Sequence, residues 1–223
     1  MSILKLSKPI AALISYLTYK KDRLRLEKLM SNGLSVGKNV YIMEDVEFDR
    51  LYPFLINIGD NCRISKGVRI LAHDATTFRD LGINKIARVN ILEGTFIGER
   101  AIILPGVTLG PRALITAGSV VNRDIGEDKV AAGNPARPYG KFSDLLNNNI
   151  EIAKEAEIIN KKDIENGLLS SRELMHATEG NKIAYTRGAP KRDPYYINTE
   201  FEKISRDAES IYHQIIGKYK NKY

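Results

Sequence analysis

Residues 91–120 read "ILEGTFIGERAIILPGVTLGPRALITAGSV". Cut in sixes, the stretch gives "ILEGTF", "IGERAI", "ILPGVT", "LGPRAL" and "ITAGSV", each opening on an aliphatic residue, with Val121 opening the next block. An amphipathic α-helix needs a period near 3.6 and cannot keep a six-residue repeat on one face. Short strands joined by tight corners can keep it, with the first and fifth places turned inward. The fifth places, Thr95, Ala101, Val107, Ala113 and Ser119, are accordingly small or β-branched. Three such faces predict a coil of about 18 residues.

The same grammar runs back to Val36. "VGKNVY", "IMEDVE" and an imperfect block opened by Phe48 precede a short insertion, "RLYPFLIN" (50–57). "IGDNCR", "ISKGVR" and "ILAHDA" follow, the last ending in a long insertion, "DATTFRDLGINKIARVN" (74–90). Glycines recur at the second place (Gly37, Gly59, Gly98, Gly110). They are expected at corners that need unusual backbone angles. Cys62 falls at a fifth place and reads as a small core residue.

The chain has 223 residues, 43% hydrophobic and 27% charged, with a net charge of +7. That composition is globular and suits anionic ligands. Its cations are spread without any nucleic-acid-binding signature, so no nucleic acid partner is expected. A single cysteine fits a reducing compartment. The apolar run "PIAALISYL" (9–17) is too short to span a membrane and opens a helix expected over residues 10–31. A basic amphipathic segment resting on a membrane surface is its second reading. Residues 143–223 read as a helical extension. Thr199 and Glu202 form a capping box ahead of an apolar helical face, and 185–196 is a proline-rich connection. His176 and His213 read as surface residues of that extension.

The run 97–142, "IGERAIILPGVTLGPRALITAGSVVNRDIGEDKVAAGNPARPYGKF", resembles the hexapeptide-repeat acyltransferases, most closely the sugar and polysaccharide O- or N-acetyltransferases. The resemblance covers residues 33–142. It implies a mainly β fold, a left-handed parallel β-helix, between an N-terminal helical segment (1–32) and the C-terminal helical extension (143–223). It also implies an acetyl-CoA-dependent acetyltransferase with no metal, working as a cytoplasmic homotrimer on a saccharide acceptor, with coenzyme in the groove between subunits.

The resemblance gives roles to residues. His73, where the repeat fails, becomes the general base, since a neutral imidazole accepts a proton near pH 7. Asp74 and Asn57 are candidate acceptor contacts. Asp74 is also readable as a hydrogen bond at the loop start or as the carboxylate that orients His73, the weaker option because neighbours in an extended segment point apart, and Asn57 is readable as turn chemistry. Ala117 and Gly118 match the small residues along which the pantetheine arm lies. Arg123, Arg137 and Lys141 match basic places that meet its phosphates, with Arg137 expected on the wall of the groove opposite His73. Other ends of the same fold weigh less. A carbonic anhydrase of this shape needs three histidine ligands, and only His73 lies in the repeats. A nucleotidyltransferase would need an added domain. A non-catalytic scaffold or binding protein is the alternative from another class. The acceptor stays open among nucleotide-linked, lipid-linked and polymeric sugars. The N-terminal segment leaves contact with the inner membrane face as a second location.

Overall fold

The computed structural model describes residues 8–155, 157–160, 184–187 and 196–197, with side chains over 17–153. The described residues fall into two compact units, one running to Phe142 and taking in Tyr196–Ile197, the other beginning at Ser143.

The first unit opens with α1 (Lys8–Ser31). Leu26 and Leu29 near its end join the core with Leu34. Gly33 ends the helix at φ 98°, and the Leu34 N–H turns back to the Leu29 carbonyl at 3.0 Å. This is the left-handed cap that only a glycine adopts without strain.

Four coils follow. The first is β1 (Ser35–Val36), β2 (Val40–Ile42) and β3 (Glu47–Phe48); the second is β4 (Ile56–Ile58), β5 (Arg63–Ile64) and β6 (Arg69–Ile70). A protrusion intervenes, β7 (His73–Asp74) and β8 (Lys85–Ile86) with α2 (Phe78–Leu81) between them. The third coil is β9 (Val89–Ile91), β10 (Phe96–Ile97) and β11 (Ile102–Ile103), and the fourth β12 (Thr108–Leu109), β13 (Leu114–Ile115) and β14 (Val120–Val121). Each coil gives one strand to each of three parallel sheets: β1-β4-β9-β12, β2-β5-β10-β13 and β3-β6-β11-β14. The second sheet continues into β15 (Lys129–Gly133) and β16 (Ala136–Lys141), an antiparallel hairpin. Asn90 pairs with Thr108, Phe96 with Leu114 and Ile102 with Val120, the predicted eighteen-residue coil.

The openers Ile64, Ile70, Ile91, Ile97, Ile103, Leu109, Ile115 and Val121 are all 0% exposed and stack into one core. Burying each stabilises the fold by about 2 kcal/mol. The fifth places are buried as expected, and the two polar ones are satisfied. Thr95 Oγ1 bonds the Leu92 and Gly110 carbonyls, and Ser119 Oγ accepts the Gly133 N–H. Cys62 is fully buried, its Sγ 3.1 Å from the Leu92 carbonyl, and burial pushes its thiol up to about 11.

The corners are built differently from the expectation. Positive φ falls on the fourth place of the block, at Asn39, Asp45, Asn61, Gly67, Gly94, Arg100, Gly106, Arg112 and Gly118. The second-place glycines have ordinary angles and a steric task. A Cβ on Gly98 would meet the Ala117 backbone nitrogen at 2.5 Å, and one on Gly110 the Glu127 nitrogen at 2.5 Å. The next coil passes too close for any side chain. Both insertions also end earlier than the sequence suggested, because Ile56 and Asn57 already lie in β4, and Val89 and Asn90 in β9.

The second unit holds α3 (Phe142–Glu155) from its second residue onward and a parallel pair, β17 (Glu157–Asn160) with β18 (Ala184–Arg187). The extension is therefore not wholly helical. The connection expected over 185–196 begins in β18 and ends in β19 (Tyr196–Ile197), which adds antiparallel to β2. Strand pairing, a long-range event, overrides local composition there. The capping box at Thr199, His176 and His213 lie outside the described residues.

The two kinds of corner glycine predict different costs. Gly118→Ala meets nothing within 4 Å and suffers only its φ of +70°, worth about 1–2 kcal/mol. Gly98→Ala keeps an allowed φ but drives a methyl into backbone, on the order of 3 kcal/mol. Thermal melts should rank wild type above Gly118→Ala, and Gly118→Ala above Gly98→Ala.

Candidate functional site

At "ILAHDA" the fourth place is His73, and here the corner fails. His73 does not take the left-handed turn but stays extended in β7, pairing antiparallel with Ile86. The chain thus leaves the prism at the edge between the third and first sheets. One coil earlier the first insertion leaves at the same edge, just after Phe48, whose register partner is Ile70. Two departures one above the other bring Asp49 to His73.

Asp49 is buried, its side chain 0% exposed, and makes four hydrogen bonds. Its Oδ1 accepts the N–H groups of Leu51 at 3.0 Å and Tyr52 at 3.1 Å; its Oδ2 accepts the Ala72 N–H at 2.9 Å and bonds His73 Nδ1. Burial pushes this carboxyl up, but the His73 bond and the three backbone donors outweigh it and hold it below the usual carboxylate range. A carboxylate on Nδ1 keeps the proton on that nitrogen, so Nε2 carries the lone pair. The His73 side chain is 28% exposed, and the Tyr52 ring lies 5.4 Å from the imidazole at 58°.

Asp49 is the residue that sequence reasoning missed. Asp74, the carboxylate considered for orienting His73, turns away instead. It is exposed and accepts the Thr76 N–H at 2.9 Å and the Thr76 hydroxyl, which lower its pKa. It closes the start of the loop, one of the roles open to it. Asn57 is exposed in β4, in register with Ser35 and Asn90.

The coenzyme candidates lie on two edges. Ala117 and Gly118, both exposed, form the corner between the second and third sheets. Arg123 lies with Asn122 at the corner after β14, the edge that carries His73, two coils further on. The Arg137 guanidinium reaches Asn122 Oδ1 at 3.5 Å and the Ala136 carbonyl at 2.8 Å, so it shares that edge. The Arg137 backbone pairs with Ala132 in the second sheet, and only its side chain reaches toward Asn122. Lys141, at the far end of β16, pairs with Lys129. Among the described residues, no cluster of three His, Cys, Asp or Glu is arranged to hold a metal ion. No helix among them is long and apolar enough to cross a membrane.

The family model described as the hexapeptide repeat of succinyl-transferase matches residues 89–123. Protein CapG of Staphylococcus aureus is 35% identical over 127 residues, which cover 55% of this chain and 74% of CapG. The chain belongs to the hexapeptide-repeat transferase family. Its coils are the left-handed parallel β-helix of that family. Similar solved structures include the hexapeptide-repeat acetyltransferase VCA0836 of Vibrio cholerae O1 biovar eltor, complexed with acetyl coenzyme A. It is 28% identical with a TM-score of 0.44, covering 48% of this chain and 58% of that one. A maltose O-acetyltransferase of Clostridium difficile 630 is 30% identical with a TM-score of 0.44, covering 52% and 74%. The chain thus spans less than two thirds of the Vibrio protein's length.

The lowered Asp49 pKa fixes the sign of a pH effect. A carboxyl more acidic in the folded than in the unfolded chain contributes stability above the ordinary carboxylate pKa of about 3.9. That contribution is lost as pH falls through the lower folded-state value. Asp49→Asn lacks it throughout. Melting temperatures of wild type and Asp49→Asn should differ most near neutrality and converge below about pH 4.

Proposed function

We propose that this protein moves an acetyl group from acetyl coenzyme A to a hydroxyl or amine of a sugar, with His73 as general base. The observation that carries the reading is the Asp49–His73 pair: Nδ1 engaged by a buried carboxylate, Nε2 free to take a proton, at the edge where both insertions emerge. Family membership supplies the reaction class, group transfer. In the step, His73 Nε2 accepts the proton of the acceptor O–H or N–H as that atom bonds to the thioester carbonyl carbon. The tetrahedral adduct then collapses with cleavage of the C–S bond. The imidazolium returns its proton to the departing thiolate, so the products are the acetylated sugar and free coenzyme thiol. Asp49 stabilises the imidazolium through Nδ1. Asp74, exposed next to the base in sequence, and Asn57, exposed in β4, are the acceptor contacts in this reading. The reading places the reaction in cytoplasmic polysaccharide biosynthesis.

The coenzyme groove in this reading needs two subunits. Arg123 and Arg137 share the edge of His73 and suit the phosphates, whereas Ala117 and Gly118 lie on another edge. A cyclic trimer brings unlike edges of neighbouring protomers together, as a heterologous contact must. The pantetheine arm then runs between the His73 edge of one protomer and the Ala117–Gly118 corner of the next.

His73→Ala should lower kcat by about 10²–10⁴, the ordinary worth of a general base, while the fold survives with a lowered melting temperature, since buried Asp49 loses one partner and keeps its three backbone donors. Retained turnover would remove His73 from the mechanism. Trimers of His73→Ala and of Ala117→Trp, each inactive alone, should regain part of the activity when unfolded together and refolded, because some grooves receive two intact walls. Sites built within one chain would regain nothing, and a monomer by light scattering would end the shared-groove reading.

A further inference from the structure

The first insertion does more than bring Asp49 to His73. It carries two aromatic rings that the proton transfer does not use, Tyr52, which also packs against the core, and the exposed Phe54. Tyr52 is half-buried, 5.4 Å from the imidazole. Phe54 stands edge-on to Tyr52, ring centroids 6.2 Å apart at 75°, and is 56% exposed. The three rings form a row, imidazole, phenol and phenyl, leading outward from the candidate base.

The backbone beneath this row is held from both sides. Asp49 Oδ1 grips the N–H groups of Leu51 and Tyr52, Pro53 is buried, and the Leu55 N–H closes a tight turn on the Tyr52 carbonyl at 3.0 Å. On the other side the turn rests on the cap of α1, where a Cβ on Gly33 would meet the Phe54 Cβ at 2.7 Å. A large apolar ring left exposed on so constrained a turn loses the benefit of burial. Exposed aromatics beside a polar site mark a binding surface more often than single scattered hydrophobics do.

We infer that Tyr52 and Phe54 form a stacking platform for the ring of the acceptor sugar. The inference rests on the reading of His73 as base to a saccharide. One face of a pyranose presents several C–H groups, slightly positive, and an aromatic face is negative. The sugar's other edge presents its hydroxyls. A ring lying on Phe54 with Tyr52 at its rim brings a hydroxyl or amine on that edge toward Nε2 of His73. The platform therefore selects pyranosides with an uninterrupted apolar face, such as β-galactosides, over those with an axial hydroxyl on it.

Saturation-transfer NMR on the whole protein tests this without turnover. The aromatic protons are irradiated in the presence of methyl β-D-galactopyranoside, and methyl α-D-mannopyranoside serves as the comparison. The wild type should pass saturation most strongly to the C–H protons of one galactoside face. Phe54→Ala should lose most of that signal, at least fivefold, while Phe54→Trp and His73→Ala keep it. Equal signals in wild type and Phe54→Ala, or no facial preference, would overturn the platform. So would a drop in melting temperature or subunit number in Phe54→Ala without loss of sugar signal, because the ring would then serve packing or assembly. Acetyl-CoA binding by calorimetry, run in parallel, separates the two readings. A wild type that binds coenzyme but passes no saturation to the galactoside refutes the platform alone, and absent coenzyme binding refutes the transferase.

Discussion

An uninterrupted coil of this molecule turns three corners in eighteen residues, and at each regular corner one residue enters the left-handed region of backbone space. For a residue with a Cβ that costs about 1–2 kcal/mol, so glycine and asparagine are favoured at the fourth place. The arginines at Arg100 and Arg112 show that stacking can override the cost. The opener side chains meet along the axis only because those corners hold. The fully buried row from Ile64 to Val121 is their consequence. The close passage of successive coils also follows, and with it the second-place glycines, which leave room for backbone and do not bend it.

The site is where that constraint is released. His73 occupies a corner place and stays extended, so the chain leaves the prism and returns through β8 to β9. The first insertion releases it one coil earlier. Because both leave at one edge, a carboxylate and an imidazole that are 24 residues apart become partners. A rigid stack thus positions irregular segments, which is how scaffolds commonly carry binding and proton-transfer groups.

Electrostatics at the pair follow from its burial. Asp49 gives up water but gains three backbone donors and an imidazole nitrogen, so it remains charged inside the protein. A charge held this way orients the ring and fixes which nitrogen bears the proton. Asp74, exposed and tied to Thr76, has the same chemistry in the wrong place.

Local sequence alone determined the repeat, the inward first and fifth places, the buried Cys62, the departure of the chain after His73 and α1. Each of these depends on period, side-chain size or local propensity, which the chain carries residue by residue. The corner angles were misplaced because a glycine can signal either a turn or a close neighbour, and only the passing coil distinguishes the two. Asp49 was legible in principle, since stacking Phe48 on Ile70 puts Asp49 over Leu71, two residues before His73, but that register depends on how many residues each insertion adds. The strands in the extension, the edge shared by Arg123 and Arg137, and the aromatic row beyond His73 were decided by tertiary structure. Each depends on segments far apart in the chain meeting in space, and no local pattern encodes that.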